Sequence, residues 1–119
     1  MGRLRVLIVE EKPLVSMLFE DLVTETVPST VVIRSSVTGA KEALAEHFDL
    51  ALLDVDVTNG QIYDAARLLT EKDILFAFVS GPIQEHMPTY LHDVCFVRKP
   101  FRDSHINKIV LETDETWHR

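Results

Sequence analysis

The sequence predicts an α/β fold, a (βα)5 doubly wound parallel five-stranded sheet in the order 2-1-3-4-5. Three observations carry that expectation. Five short apolar runs recur along the chain: Val6–Val9, Val31–Ile33, Leu50–Leu53, Ile74–Val79 and Val94–Val97. Most are continuous rather than alternating, the pattern of strands covered on both faces. Segments with helical spacing separate them, and alternating strands and helices imply βαβ units with right-handed crossovers.

The first run ends in Glu10-Glu11-Lys12. Behind it Leu14, Leu18 and Leu22 repeat every fourth residue, with Val15, Phe19 and Val23 alongside, which predicts a helix. After the second run, Thr38 is the expected cap of a helix whose stripe is Ala40, Leu44, His47 and Phe48. His47 there reads as a half-buried helix residue rather than a ligand. The third run leads to Ile62, Ala65, Ala66 and Leu69, again at helical spacing. The fourth run is followed by Gly81 to Asp93, where Pro82 and Pro88 leave room for only a short or irregular helix, mostly loop. The fifth run contains Cys95, read as a buried core thiol. Asp103-Ser104 then opens a last helix carrying Ile106, Ile109 and Val110, and the polar tail from Glu112 is expected to fray.

Composition bounds the function. At 119 residues the chain is expected to be one domain, residues 1–119. With 46% hydrophobic and 26% charged residues it is too apolar for disorder. Its longest unbroken apolar run, Ile74–Val79, is far below the ~18 residues that span a bilayer. No basic-then-apolar leader opens it, so no export is expected. A net charge of -7 with scattered Lys and Arg argues against a nucleic-acid surface. One cysteine excludes an internal disulfide and fits a reducing, cytoplasmic setting. No phosphate-cradling or dinucleotide glycine motif occurs, because the four glycines are far apart. The five histidines show no metal spacing.

In an open parallel sheet, ligands sit beyond the carboxyl ends of the strands. The polar residues closing each run are therefore the candidates. Strand one ends in Glu10 and Glu11, strand three in Asp54 with Asp56 after it, strand four in Ser80-Gly81, and strand five in Arg98-Lys99-Pro100. Carboxylates gathered at one edge repel each other, and a hard divalent cation relieves that cost. Mg²⁺ takes oxygen ligands, commonly one or two carboxylates plus water and phosphate. A carboxylate beside Mg²⁺, a lysine and a hydroxyl suits phosphoryl transfer onto an aspartate, and Asp54 caps the central strand.

At these residues the chain resembles the receiver domain of bacterial two-component response regulators. The resemblance runs from Arg5 to about Val110. VLIVEEKP (Val6–Pro13) matches the acidic-pair motif, LALLDVDVTNG (Leu50–Gly60) the phosphoacceptor strand and loop, FAFVSG (Phe76–Gly81) the strand ending in Ser or Thr, and VRKPF (Val97–Phe101) the lysine-proline signature. It implies a flavodoxin-like fold in which Asp54 accepts phosphate from a sensor histidine kinase or phosphotransfer protein. It further implies Mg²⁺ held by Glu11, Asp54 and the backbone carbonyl of Asp56, with Glu10 in its outer shell. Lys99 would pair with Asp54 and then with the phosphate, Ser80 and the Gly81 N–H would contact phosphate oxygens, and Phe96 would be the switch aromatic.

Two residues depart from the family pattern. Glu11 stands where Asp is usual, carrying its carboxylate roughly 1.5 Å further out, and Lys12 follows where an acidic or neutral residue is common. The chain ends about one helix after Lys99-Pro100, so no output domain is expected and signalling would pass through another protein, a homodimer or onward transfer. Two further readings stay open. One is a pseudo-receiver used only for docking. The other is a phosphatase of the haloacid-dehalogenase type, because Asp54-Val55-Asp56-Val57-Thr58 resembles its D-x-D-x-T motif. In that reading Asp54 is the nucleophile and Asp56 the acid/base.

Overall fold

The strands form where the continuous apolar runs predict them. In a computed structural model, which describes residues 3–54, 62–80, 95–98 and 103–117, they are β1 (Leu4–Val9), β2 (Ser29–Arg34), β3 (Leu50–Asp54), β4 (Leu75–Ser80) and β5 (Cys95–Arg98). All pairings are parallel, in the order β2-β1-β3-β4-β5. Four helices are described: α1 (Pro13–Thr26), α2 (Val37–Ala43), α3 (Ile62–Glu71) and α4 (Asp103–Trp117). The expected α/β class and strand order are both observed.

Successive strand residues point to opposite faces, and each face has its own core. Leu7, Val9, Ala51, Leu53 and Phe78 pack with Val37, Ala40, Ala65 and Leu69 of α2 and α3. Val6, Ile8, Leu50, Leu52, Ala77 and Val79 pack with Phe19 and Val23 of α1 and Ile106 and Val110 of α4. Burial on both faces is why these strands read as unbroken apolar runs.

Several local expectations change. In α1 the buried residues are Ser16, Phe19, Leu22 and Val23, whereas Leu14 is 82% exposed and Leu18 44%. A strict four-residue repeat drifts about 40° per step around a 3.6-residue helix, so Leu14, Leu18 and Leu22 spread over about 80° and only Leu22 reaches the arc shared by Ser16, Phe19 and Val23. The cap of α2 is Ser36, not Thr38: its side-chain oxygen accepts the Gly39 N–H at 3.0 Å. Thr38 lies inside the helix. α2 ends at Ala43, four residues before His47, whose exposed ring meets Asp49 at 3.1 Å. Leu44 and Phe48 are buried all the same. The expected half-buried helical histidine is thus a surface loop residue, because the helix stops a turn too early to carry it inward.

Ile74 closes α3 rather than opening β4. Its N–H reaches the Leu69 carbonyl at 3.0 Å and the Asp73 N–H reaches Thr70 at 3.2 Å, with Asp73 left-handed at φ 57. These paired bonds form a Schellman C-cap. The polar tail does not fray at Glu112, since α4 continues to Trp117 and buried Thr113 donates its hydroxyl to the Ile109 carbonyl at 2.9 Å. The Pro82–Asp93 segment lies outside the described residues, as does the side chain of Cys95. Among the described residues, no helix is long and apolar enough to cross a membrane.

Candidate functional site

The site begins with strand register. Val9 of β1 pairs with Leu53 of β3, so the next residues, Glu10 and Asp54, stand side by side across a strand spacing of roughly 4.8 Å. Pleat alternation places both on the α1 side of the sheet. Both are buried, Glu10 at 1% and Asp54 at 3% exposure.

Backbone bonds fix the first acid. The Glu10 N–H donates to the Arg34 carbonyl at 3.0 Å, continuing the β1–β2 ladder one residue past the strand. Its carboxylate Oε2 accepts the Lys12 N–H at 3.1 Å. Lys12 is the N-cap residue of α1 and Pro13 follows at its first turn. The Lys12 carbonyl accepts the N–H groups of Val15 and Ser16 at 3.1 and 3.0 Å. Positive partial charge at this helix start favours an acid beside it. Glu11 and Lys12 are themselves exposed.

On the other side, Asp54 pairs with Val79 of β4, so Ser80 follows one position beyond at the same edge. Ser80 is in register with Arg98 of β5, the residue before Lys99. The structure therefore brings together Glu10, Asp54 and the Ser80 backbone, with Glu11 next in chain. Lys99, Asp56 and Gly81 lie outside the described residues, as do the side chains of Ser80 and Phe96. Phe96 is placed by register opposite Phe78.

Two features escaped the reading of strand ends. Arg34 enters through its carbonyl, which no side-chain pattern reports. Tyr63 in the first turn of α3 packs edge-on against Phe78 at 5.6 Å, and Phe76 does the same at 5.7 Å. The two-residue spacing of Phe76 and Phe78 signals a shared face of β4, but Tyr63 joins them only through the fold.

The described donors are carboxylate oxygens. Among the described residues, no group of three or more His, Cys, Asp or Glu side chains is placed to hold a metal ion. The carboxylates of Glu10 and Asp54 at the strand ends, with Glu11 next in chain, are hard oxygen donors of the kind Mg²⁺ takes.

No protein-family model matches the chain, and no curated protein sequence matches it. Solved structures do. The signal receiver domain of an HD domain-containing protein from Pseudomonas fluorescens Pf-5 superposes with a TM-score of 0.85 at 16% identity, covering 98% of each chain. SdrG from Sphingomonas melonis Fr1 gives 0.77 at 27% identity, over 95% of this chain and 98% of that one. The phosphorylated cyanobacterial phytochrome response regulator RcpA gives 0.74 at 23% identity, over 98% and 94%. In each case the likeness spans nearly the whole chain, and what it shows is the fold.

Proposed function

We propose that this chain, which has the fold of a response-regulator receiver domain, is a cytoplasmic phosphoacceptor carrying its phosphoryl group on Asp54. The observation that carries this reading is the position of Asp54. It is a buried carboxylate at the end of the central strand, between buried Glu10 and the end of β4. The donor is a phosphohistidine on a sensor kinase or phosphotransfer protein. An Asp54 carboxylate oxygen forms the new P–O bond as the P–N bond breaks, and the imidazole leaves with the electron pair and takes up a proton.

Glu11, Asp54 and the Asp56 carbonyl are the residues that would hold Mg²⁺. When bound, the ion offsets charge on the phosphoryl oxygens. Lys99 and Ser80 would contact the same oxygens, with the Gly81 N–H as a further donor. Ser80 turning toward the phosphate would free space for Phe96 and alter the surface at β5 and α4, which an unidentified downstream protein would read.

Intact-mass measurement after treatment with acetyl phosphate and Mg²⁺ tests this. One added phosphoryl group on the wild type and none on Asp54→Asn is expected, and an unmodified wild type refutes it. A docking module without phosphorylation is the second reading, favoured by the longer acid at Glu11. Glu11→Asp decides between them: an inert wild type with a phosphorylated variant supports docking.

A further inference from the structure

We propose that the outer edge of β2 is a strand-pairing surface matched to a second copy of this chain, and that Arg3 and Arg34 hold it closed. β2 is an edge strand, with β1 as its single neighbour in the sheet.

Register decides which backbone groups face outward. The carbonyls of Pro28 and Arg34 accept the Leu4 and Glu10 N–H groups at 3.2 and 3.0 Å. Between them the two strands stay in register, from Leu4 with Ser29 to Val9 with Arg34. Backbone groups alternate sides along a strand, so the even-numbered residues of this stretch face β1. Ser29, Val31 and Ile33 therefore turn their N–H and C=O groups to the open edge. Such a row is a template for another strand. Antiparallel pairing of two copies about a two-fold axis at Val31 sets Val31 against Val31, and Ser29 of each copy against Ile33 of the other. Each pair would exchange both of its hydrogen bonds.

Arginine occupies both ends of that row. The Arg3 guanidinium donates to the Ser29 carbonyl at 3.4 Å, and the Arg34 guanidinium to the Ile33 carbonyl at 2.9 Å. The Arg34 stem runs beside Gly39 of α2, its Cδ 3.4 Å from where a Cβ on that glycine would stand. The two carbonyls so held are the acceptors that the outer pairs need. Because Ser29 meets Ile33 across the two-fold, Arg3 of one copy also meets Arg34 of the other. Like charges set against each other across an interface are costly. The arginines thus close the edge twice, by holding its acceptors and by repelling the same groups on an approaching copy. Charged side chains are a common guard of sheet edges. What they guard here is Thr30-Val31-Val32-Ile33, a β-branched run that favours strand pairing.

Hydrogen exchange of the Val31 N–H in the full chain, followed over a range of protein concentrations, tests this, with sedimentation reporting the mass. In the wild type that N–H should exchange freely at every concentration. In Arg3→Ala/Arg34→Ala it should become protected as concentration rises, with self-association at least ~10-fold tighter than in the wild type. Adding Val31→Pro should return this variant to a monomer, because proline removes an outward N–H and none of the β1–β2 bonds. Arg34→Glu should associate too, since its carboxylate would meet Arg3 of the other copy.

Protection of Val31 already present in the wild type overturns the proposal. Free exchange in the double variant at every concentration does so as well, and so does association that survives Val31→Pro. Should the proline variant fail to fold, Val31 exchange in the double variant decides by itself. Should the double variant fail to fold, Arg34→Glu decides by the same measure: protection that rises with concentration supports the closed edge, and free exchange refutes it.

Discussion

Glu10 and Asp54 are neighbours because Val9 and Leu53 are in register, which sets two buried carboxylates next to each other at the carboxyl edge of the sheet. Residues 44 positions apart in sequence thus share one electrostatic problem. A cation held at that edge by Asp54 and Glu11 would offset the negative charge gathered there.

Mg²⁺ is therefore expected to stabilise the folded chain. A ligand bound only to the native state adds about 2.7 kcal/mol at a hundred times its Kd. Thermal melts with and without Mg²⁺ should show a rise in Tm for the wild type and a much smaller one for Asp54→Asn. Equal rises in both would place the ion elsewhere.

The two kinds of apolar residue on α1 should differ sharply. Phe19 is buried in the core between α1 and the sheet, and Phe19→Ala should cost about 3–5 kcal/mol. Leu14, 82% exposed, should tolerate alanine within about 0.5 kcal/mol. Urea unfolding of both variants measures the difference, and similar losses would contradict the assignment of the buried face.

Asp73 occupies the left-handed position of the cap ending α3, at φ 57, where glycine ordinarily stands. Asp73→Gly is expected to stabilise the chain by ~0.5–1 kcal/mol, since glycine has no Cβ to strain there. Asp73→Val, branched at Cβ, should destabilise it. Denaturant midpoints would give the sign of each change.

The cap at the start of α2 offers a simpler case. Ser36→Ala removes the acceptor of the Gly39 N–H and should lower stability by about 1 kcal/mol, while Thr38→Ala should change little. Reversal of that order would restore Thr38 as the cap.

Saturating the acceptor with beryllofluoride tests the switch. Amide resonances of residues 82–93 and of β5 should shift in the wild type, and the shifts should shrink in Ser80→Ala. Unchanged resonances in the wild type would remove the surface response.

The class of fold was legible because strand burial on both faces leaves a local trace: unbroken apolar runs of four to six residues such as Val6–Val9 and Ile74–Val79. The strand-end acids Glu10 and Asp54 were legible for a related reason, being charges placed directly after such runs. Helix faces were less so. Leu14 and Leu18 are as apolar as Leu22, and only the position of α1 on the sheet decides which of them is covered. Thr38 and Ser36 are both good caps, and the choice depends on where β2 releases the chain. His47 fits a helical stripe that the helix ends too soon to use.

By itself, then, the order of residues determined the alternation of strands and helices, the parallel sheet and the acids that close its strands, because burial and turn chemistry act over a few neighbouring positions. Tertiary structure alone decided that Glu10 lies beside Asp54, that the Arg34 carbonyl anchors it and that Tyr63 meets Phe78. Those relationships are set by register and packing between distant segments, and no local preference encodes the distance across a sheet.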